Sequence, residues 1–288
     1  DLDQHLSGLR ALEIELNNTD LSQLSLKGPK GEPVSGTVSA ALTAQGEIDN
    51  WQDASARLVI RDAAVQAVER LPLRTNGEII VRYEGRTLIA DQAALAVGHS
   101  TFDISGRLPL EGEIAGEQLT VGGILDLNEL ASFIPSETPV GASGRVELDA
   151  TVGGSLTTPT PQGEIRLLDA AVFNEAIFSP LTSLNGTVRL NGETVELQGL
   201  TGDWAGAKLD ISGSAPMALF GVGEGDAEPI RVEWSLNGLV IDSLTDLPRG
   251  TGGRVSLSGR MEGLKPEIAA LEGDVDITEL DVYYNEIR

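Results

Sequence analysis

The sequence contains no cysteine, which excludes disulfide bonds and thiolate metal centres and leaves the redox compartment open. It has only two histidines, His5 and His99, too few for a zinc site or a Ser-His-Asp arrangement to be a good reading. Basic residues are scarce. Twenty Lys and Arg face 44 Asp and Glu, for a formal charge of −24. Such a surface repels phosphate backbones, and no basic stripe offsets it, so nucleic acid is not an expected partner. Aromatic residues make up 4% of the chain, which argues against a thick aromatic core. No apolar run approaches membrane-spanning length, and no charged-then-apolar leader is present. The first residues, DLDQHL, and the last, YYNEIR, read as the ends of a piece cut from a longer protein.

What the chain has in plenty is glycine, 34 residues, and internal repetition. FDISG at 102–106 returns as LDISG at 209–213. Before them, IRDAAV (60–65) returns as LLDAAV (167–172), and LPLRTNG (71–77) as SPLTSLNG (179–186). SGTVSAALTAQG (35–46) returns as SGRVELDATVGG (143–154), and a third copy opens at GGRVSLSGRMEG (252–263). Landmarks in fixed order at an offset of about 107 residues are the mark of a repeat array whose copies stack on one another. The expected divisions are residues 1–34, the end of a preceding module with a short helical turn; 35–142, module 1; 143–251, module 2; and 252–288, the truncated start of module 3, all in one continuous elongated body.

Within a module the apolar period is two. Val146, Leu148, Ala150 and Val152 alternate with Arg145, Glu147, Asp149 and Thr151, as in a half-buried strand. Val188 and Leu190 lead into Asn191-Gly192, and Val195 and Leu197 follow, a strong hairpin signal. A two-residue Asn-Gly loop pairs Leu190 with Glu193 and Val188 with Val195. Strands of about five to seven residues, with turn signals every ten or so, predict a mostly β, antiparallel, meandering sheet with one apolar and one charged face. The apolar set comprises Val38, Ile79, Val81, Leu88, Phe102 and Ile104 in the first module. In the second it comprises Val146, Leu148, Ile165, Leu167, Val188, Leu190, Val195, Leu197, Leu209, Ile211, Val232 and Trp234, and in the third Val255 and Leu257. Helix is scarce. DLNELASFIPSETP (126–139), capped by Asp126 and ended by Pro135, predicts one short helix; DLSQLSL (20–26) and DSLTDLP (242–248) predict helical turns, as plugs or end caps.

Two destinations remain open for the apolar face. It packs against itself in a sandwich or closed solenoid, or the sheet curls into a trough whose Val, Leu, Ile and Ala lining stays available to a long featureless ligand such as an acyl chain.

The order D-L-x-x-L…P, SG-x-V strand, GEIRLLDAAV, PL…NGTVRL hairpin and LDISG, carried by Asp126–Pro135, Gly144–Gly154, Gly163–Val172, Pro180–Leu200 and Leu209–Gly213 with their partners one module earlier, resembles the repetitive β region of the TamB and AsmA-like family. The resemblance covers essentially the whole chain. It implies an antiparallel sheet folded along its length into a half-pipe (a β-taco) with an apolar groove and short helical plugs. It further implies a periplasmic segment of an inner-membrane-anchored protein that shields phospholipid acyl chains between the inner and outer membranes of Gram-negative bacteria. Outer-membrane assembly and a TamA-like barrel partner come with the family, although no contact region for that partner is recognisable in this segment. The apolar set above would line the groove. Two and a half modules at ~4.8 Å per strand give on the order of 80 Å of trough.

Motifs for chemistry are weak. Glu111 with Glu113, and Asp274 with Asp276, are better read as a solvated strand face than as catalytic pairs. GVGEGDAE (221–228) is not a dinucleotide fingerprint, because Asp226 stands where the last glycine is needed. Nor do Glu224, Asp226 and Glu228 meet a calcium-loop spacing. His99 matches Gly206 of the sister module, which argues against a ligand role. Asn17 and Asn185 satisfy the glycosylation sequon; Asn185 reads better as a turn residue, and a bacterial context would make both silent. Trp51, Trp204 and Trp234 are read as core or edge packing. The expectation is a non-enzymatic lipid conduit without cofactor or metal. The alternatives are a closed β-repeat spacer or interaction module assisting outer-membrane protein assembly, and a carbohydrate-active or adhesive β-repeat, which lacks the surface aromatics and calcium motifs it would need.

Overall fold

The computed structural model describes residues 11–24, 27, 33–46, 52–66, 72–112, 114, 116–131, 141–174, 179–220, 222, 229–240, 251–263 and 272–284. His5, Trp51, the segment 223–228, the helical turn expected at 242–248 and residues 132–139 lie outside them. The fold is mostly β and antiparallel, as the alternation predicts, and the described strands join in one 16-stranded sheet.

The chain divides into two compact units, residues 1–125 with 148–161 and residues 126–147 with 162–288. The first contains β1 (Ala11–Asp20), β2 (Ser35–Gln45), β3 (Ser55–Gln66), β4 (Pro72–Thr75), β5 (Ile79–Glu84), β6 (Thr87–Val97), β7 (Ser100–Pro109) and β8 (Leu119–Asp126). Here β4 and β5 follow one another in the slot between β3 and β6. The division falls within β9 (Gly141–Gly154) and β10 (Pro159–Phe173). The second unit continues with β11 (Leu181–Asn191), β12 (Thr194–Trp204), β13 (Ala207–Pro216), β14 (Ile230–Val240), β15 (Thr251–Gly263) and β16 (Glu272–Tyr284). Its β11 runs unbroken between β10 and β12, where the first unit needs two strands. β6 and β12 are both 11 residues long and β7 and β13 both 10, each pair 107 positions apart. The hairpin tips are closed alike, by Leu110 N–H donating to Arg86 O (2.6 Å) and Met217 N–H donating to Glu193 O (2.7 Å).

The repeated glycines have a steric origin. Gly36, Gly144 and Gly253 open the SG and GG landmarks at φ of 121°, 112° and 141°. A Cβ on Gly144 would lie 2.6 Å from Ala170 Cα, and on Gly36 and Gly253 it would overlap the carbonyl oxygens of Ala64 and Asp281. The last residue of FDISG and LDISG is fixed in the same way. A Cβ on Gly106 or Gly213 would overlap the carbonyl of Gln118 or Arg231 on the next strand.

Most strands run 10 to 15 residues, longer than the five to seven expected, because dipeptides that look like turns are bulges inside them. At 197–200 (LQGL), 236–239 (LNGL), 167–170 (LLDA) and 90–93 (ADQA), a three-residue step on one strand opposes a two-residue step on its partner. The extra residue takes a left-handed conformation at Gly199 (φ 58°), Gly238 (φ 76°) and Asp169 (φ 44°). Side chains satisfy the displaced amides: Gly238 N–H donates to Ser256 Oγ (3.0 Å), Asp169 N–H to Asn185 Oδ1 (2.9 Å) and Ala63 N–H to Thr75 Oγ1 (3.1 Å). A bulge bends the strand yet returns the next apolar side chain to the face it left.

The β11–β12 hairpin differs in register from the expectation. Leu190 pairs with Val195 and Val188 with Leu197, so the loop is Gly192-Glu193. Asn191 closes the strands instead of turning them. Its Oδ1 accepts from both the N–H and the Oγ1 of Thr194 (2.8 Å each), and Gly192 supplies the positive φ of 91°. The side chains keep the expected face, since the register slips by two residues. Among the described residues helical structure includes α1 (Leu127–Ala131) and 3₁₀ turns at Leu21–Leu24 and Met217–Phe220. Asp126 caps α1 by accepting from Asn128 N–H (2.8 Å), and Asp20 caps the first 3₁₀ turn by accepting from Ser22 N–H (3.0 Å).

A candidate binding face on the sheet

Residues paired across an antiparallel ladder share a face, so the registers assign faces directly. In the second unit, Ile165–Val188–Leu197–Gly213–Val232–Met261 form one row across six strands. Beside it run Leu190–Val195–Ala215, Leu200–Ile211–Trp234–Gly259 and Gly202–Leu209–Leu236–Leu257. Leu167 pairs with Gly186 and Val255 with Leu239 on the same face. In the first unit, Ile14–Leu42–Leu58–Val81–Ala90–Gly106–Leu119 form the corresponding row. Ile79 pairs with Ile60, Leu88 with Leu108, Phe102 with Leu95, Ile104 with Ala93 and Val121, and Val38 with Ala63. Val146 and Leu148 lie on β9, the former buried and the latter half-buried. The members of the sequence set on β2, β5 to β7 and β10 to β15 thus collect on one face within each unit.

The alternation missed Leu58, Ile60, Leu95, Val121, Leu200, Leu239 and Met261, whereas Leu236 alternates with Val232 and Trp234. Its counterpart signal was present. Leu200 and Leu239 follow their predecessors by three positions, the spacing of a bulge and not of a simple strand.

Burial along this face is uneven: Ile79, Ala90, Leu108, Leu184, Leu236 and Leu239 are buried, and other members are only half-buried. Among the described residues the largest side chains less than 2% exposed are Ser100 and Ser155. One buried cluster, Ala207, Leu236 and Leu239, gathers Trp204, Leu209, Trp234 and Val255 around it. Trp204 is further held by Nε1–H donating to Ser179 O (3.0 Å). Away from the cluster, Ile165, Val188, Leu190, Val195, Leu197, Ile211, Val232 and Met261 are half-buried. Trp234 belongs to both regions. It packs on the cluster and spans toward Gly259, where a Cβ would meet its indole at 2.9 Å.

The opposite face is polar and paired. Glu164 sits beside Arg189 (3.1 Å) and Arg166 (3.0 Å), whose guanidinium groups, Arg189 first, hold its carboxyl below the usual range. Lys208 pairs with Asp203 (2.5 Å). In the first unit Arg82 grips Asp91 through two hydrogen bonds, Nε to Oδ2 (2.6 Å) and Nη2 to Oδ1 (2.8 Å). These lower the Asp91 carboxyl, and the nearby charges of Arg82, Arg57 and Arg107 add to the effect. The charged face is not uniform, however. Val59 pairs with Ile80 on it, and buried Ile89 sits between its cross-strand neighbours Arg82 and Arg107, whose methylene stems can shield it.

No family model, curated protein or solved structure matches this chain. Among the described residues no group of three or more metal-binding side chains comes together, and no helix is long and apolar enough to cross a membrane. His99 lies exposed in the turn between β6 and β7. Among the described residues of the second unit, hollows open on the sheet. One, of about 780 Å³, is lined by Arg231, Val232, Glu233, Arg260, Met261, Glu262 and Asp274. A smaller one, of about 330 Å³, lies among Asp203, Lys208, Asp210 and Asn237.

Proposed function

We propose that this chain is a segment of a lipid conduit, holding phospholipid acyl chains on the apolar face of its sheet as they pass between the inner and outer membranes, in the manner of the TamB and AsmA-like proteins its repeat resembles. The observation that carries this reading is the row Ile165–Val188–Leu197–Gly213–Val232–Met261. It runs across six strands without a polar side chain, and its large members are half-buried. Burying a methylene is worth about 0.8 kcal/mol. A lipid on such a row is held by area alone and moves from strand to strand without breaking a directed bond. The polar face, with its paired carboxylates, keeps the other side wet and suits a periplasmic setting.

The test is photo-crosslinking in cells, with a photoreactive residue at Leu190 on the apolar face or at Arg189 on the polar one. Capture of phospholipid at Leu190 and not at Arg189 is the expected result. A folded protein that captures lipid at neither position refutes the conduit and favours a closed spacer whose apolar face is met by protein.

A further inference from the structure

The dipeptide Asn-Gly occurs four times in the chain, at 76–77, 185–186, 191–192 and 237–238. Glycine carries no side chain to keep its amide nitrogen away from the preceding asparagine, so each of the four can close into a ring. The fold treats them differently. Asn185 is held at both ends of its side-chain amide: Oδ1 accepts from Asp169 N–H (2.9 Å) and Nδ2 donates to Ser183 O (2.9 Å). Asn191 Oδ1 accepts from the N–H and the Oγ1 of Thr194. Asn237 Nδ2 donates to Ser235 Oγ (3.3 Å), and the Gly238 N–H donates to Ser256 Oγ (3.0 Å). Asn76 stands in the break between β4 and β5. Its own N–H donates to Ala94 O (2.9 Å), but among the described residues neither its side chain nor the Gly77 N–H makes a hydrogen bond. Both residues are exposed. The space around Gly77 is open, with Gln92 Nε2 nearest at 3.9 Å from its Cβ position, whereas at Gly186 the backbone of Leu200 comes within 2.9 Å.

We propose that Asn76 is a site of spontaneous deamidation and that the fold shields the other three. The Gly77 nitrogen, giving up its proton to water or hydroxide, attacks Asn76 Cγ. A C–N bond forms, the Cγ–Nδ2 bond breaks, and the departing nitrogen takes a proton from water and leaves as ammonia. The product is a cyclic succinimide. Water then opens the ring at either carbonyl, leaving aspartate or isoaspartate at position 76. The net change is one water in and one ammonia out, with no oxidant or cofactor. Isoaspartate routes the main chain through Cβ and Cγ, which lengthens the link from β4 to β5 by one methylene. Those two strands share the slot between β3 and β6, so the extra length falls on β5, where buried Ile79 faces Ile60. Either product also adds a carboxylate close to Glu78, in a chain that already carries a formal charge of −24. In the second unit β11 fills the corresponding place and Asn185 is locked within it, so that unit is spared.

The experiment incubates the full chain at mildly alkaline pH, folded or in concentrated urea, and follows its tryptic peptides by mass spectrometry. Arg82, Arg189 and Lys208 stand between the four sites, so no two share a peptide. A hydrogen bond that must break before the ring closes slows closure by about two- to tenfold. In the folded chain Asn76 should therefore convert about tenfold faster than each of the others, where one or two such bonds must break. In urea the four rates should draw together. Labelling of the Asn76 peptide by an isoaspartate-specific methyltransferase identifies the ring-opened product. Ser256→Ala, which frees the Gly238 amide, should speed conversion at Asn237 and leave Asn76 unchanged. Equal rates at all four sites of the folded chain overturn the proposal. So does an undiminished lead of Asn76 in urea, which makes the flanking sequence the cause. An unchanged Asn237 rate in Ser256→Ala, with the circular dichroism of the wild type, overturns the shielding. None of these outcomes bears on the lipid reading, which stands or falls by its own test.

Discussion

Replacing Gly144 by alanine tests whether the repeated strand-opening glycine is demanded by the fold. Gly144 has φ of 112°, and its Cβ would lie 2.6 Å from Ala170 Cα and 2.9 Å from Asp169 O. Both are backbone atoms of a neighbouring strand, so no side chain can swing aside. A backbone conformation this rare costs an L-residue about 1–3 kcal/mol, and forcing a methyl group against packed atoms adds about 1–3 kcal/mol. The expected loss is therefore about 2–6 kcal/mol. Gly238 in the same unit is the control. It too has a positive φ, 76°, but no atom lies within 4 Å of its Cβ position. Gly238→Ala should cost only the left-handed penalty of about 1–2 kcal/mol, less the roughly 0.4–1 kcal/mol gained by restricting the unfolded chain. Gly238→Asn should be milder still, since asparagine tolerates that conformation, whereas Gly144→Asn should be no better than Gly144→Ala. Urea denaturation followed by circular dichroism measures all four. If Gly144→Ala destabilises no more than Gly238→Ala, steric exclusion by the neighbouring strand is not why the glycine recurs.

Leu236→Ala, in the packed cluster at 4% exposure, should cost about 2–5 kcal/mol in the same assay. Leu190→Ala on the half-buried part of the face should cost about 1 kcal/mol, and equal losses would mean that the whole face is packed alike. Asp91→Asn should destabilise the first unit at neutral pH by leaving Arg57, Arg82 and Arg107 without their shared carboxylate. Because the Asp91 carboxyl is lowered in the fold, its contribution is complete above the ordinary value of 3.8 and fades as pH falls from there through the depressed value. Wild type and variant should therefore converge in acid, and a constant difference down to pH 2 would contradict this. Thr75→Val should cost about 1–2 kcal/mol by leaving the Ala63 amide without its acceptor, and should speed hydrogen exchange at that amide more than at its neighbours.

Period-two alternation made the sheet and its faces legible in the sequence, because a side chain's face depends only on counting residues. Val188, Leu197, Ile211 and Trp234 were placed this way and fall on one face. Strand lengths and the partners in the hairpin were not legible. Asn191-Gly192 and Asn237-Gly238 are the same dipeptide, yet the first closes a hairpin and the second is a bulge within β14. Local chemistry allows both, and the choice falls to the partner strand: Ser256 supplies an acceptor for the Gly238 amide, and no sequence neighbour announces it. The charged lining of the larger hollow is not legible in the sequence for a related reason. Arg231, Glu233, Arg260 and Asp274 lie on three strands and read individually as solvated residues.

The bulges also govern how such a sheet can change over evolutionary time. Each one resets the phase of its strand, so the chain behaves downstream like a text read in a two-letter frame. Loss of Gly199 alone would carry Leu200 and Trp204 to the polar face and bring Thr201 and Asp203 to the apolar one. Single-residue insertions and deletions within strands should therefore be strongly selected against, while changes of any length are absorbed between them. The two copies differ in this way. β7 and β13 match in length, yet the connection from β13 to β14 is longer than that from β7 to β8, and Ile104–Val121 and Ile211–Trp234 still meet on the apolar face.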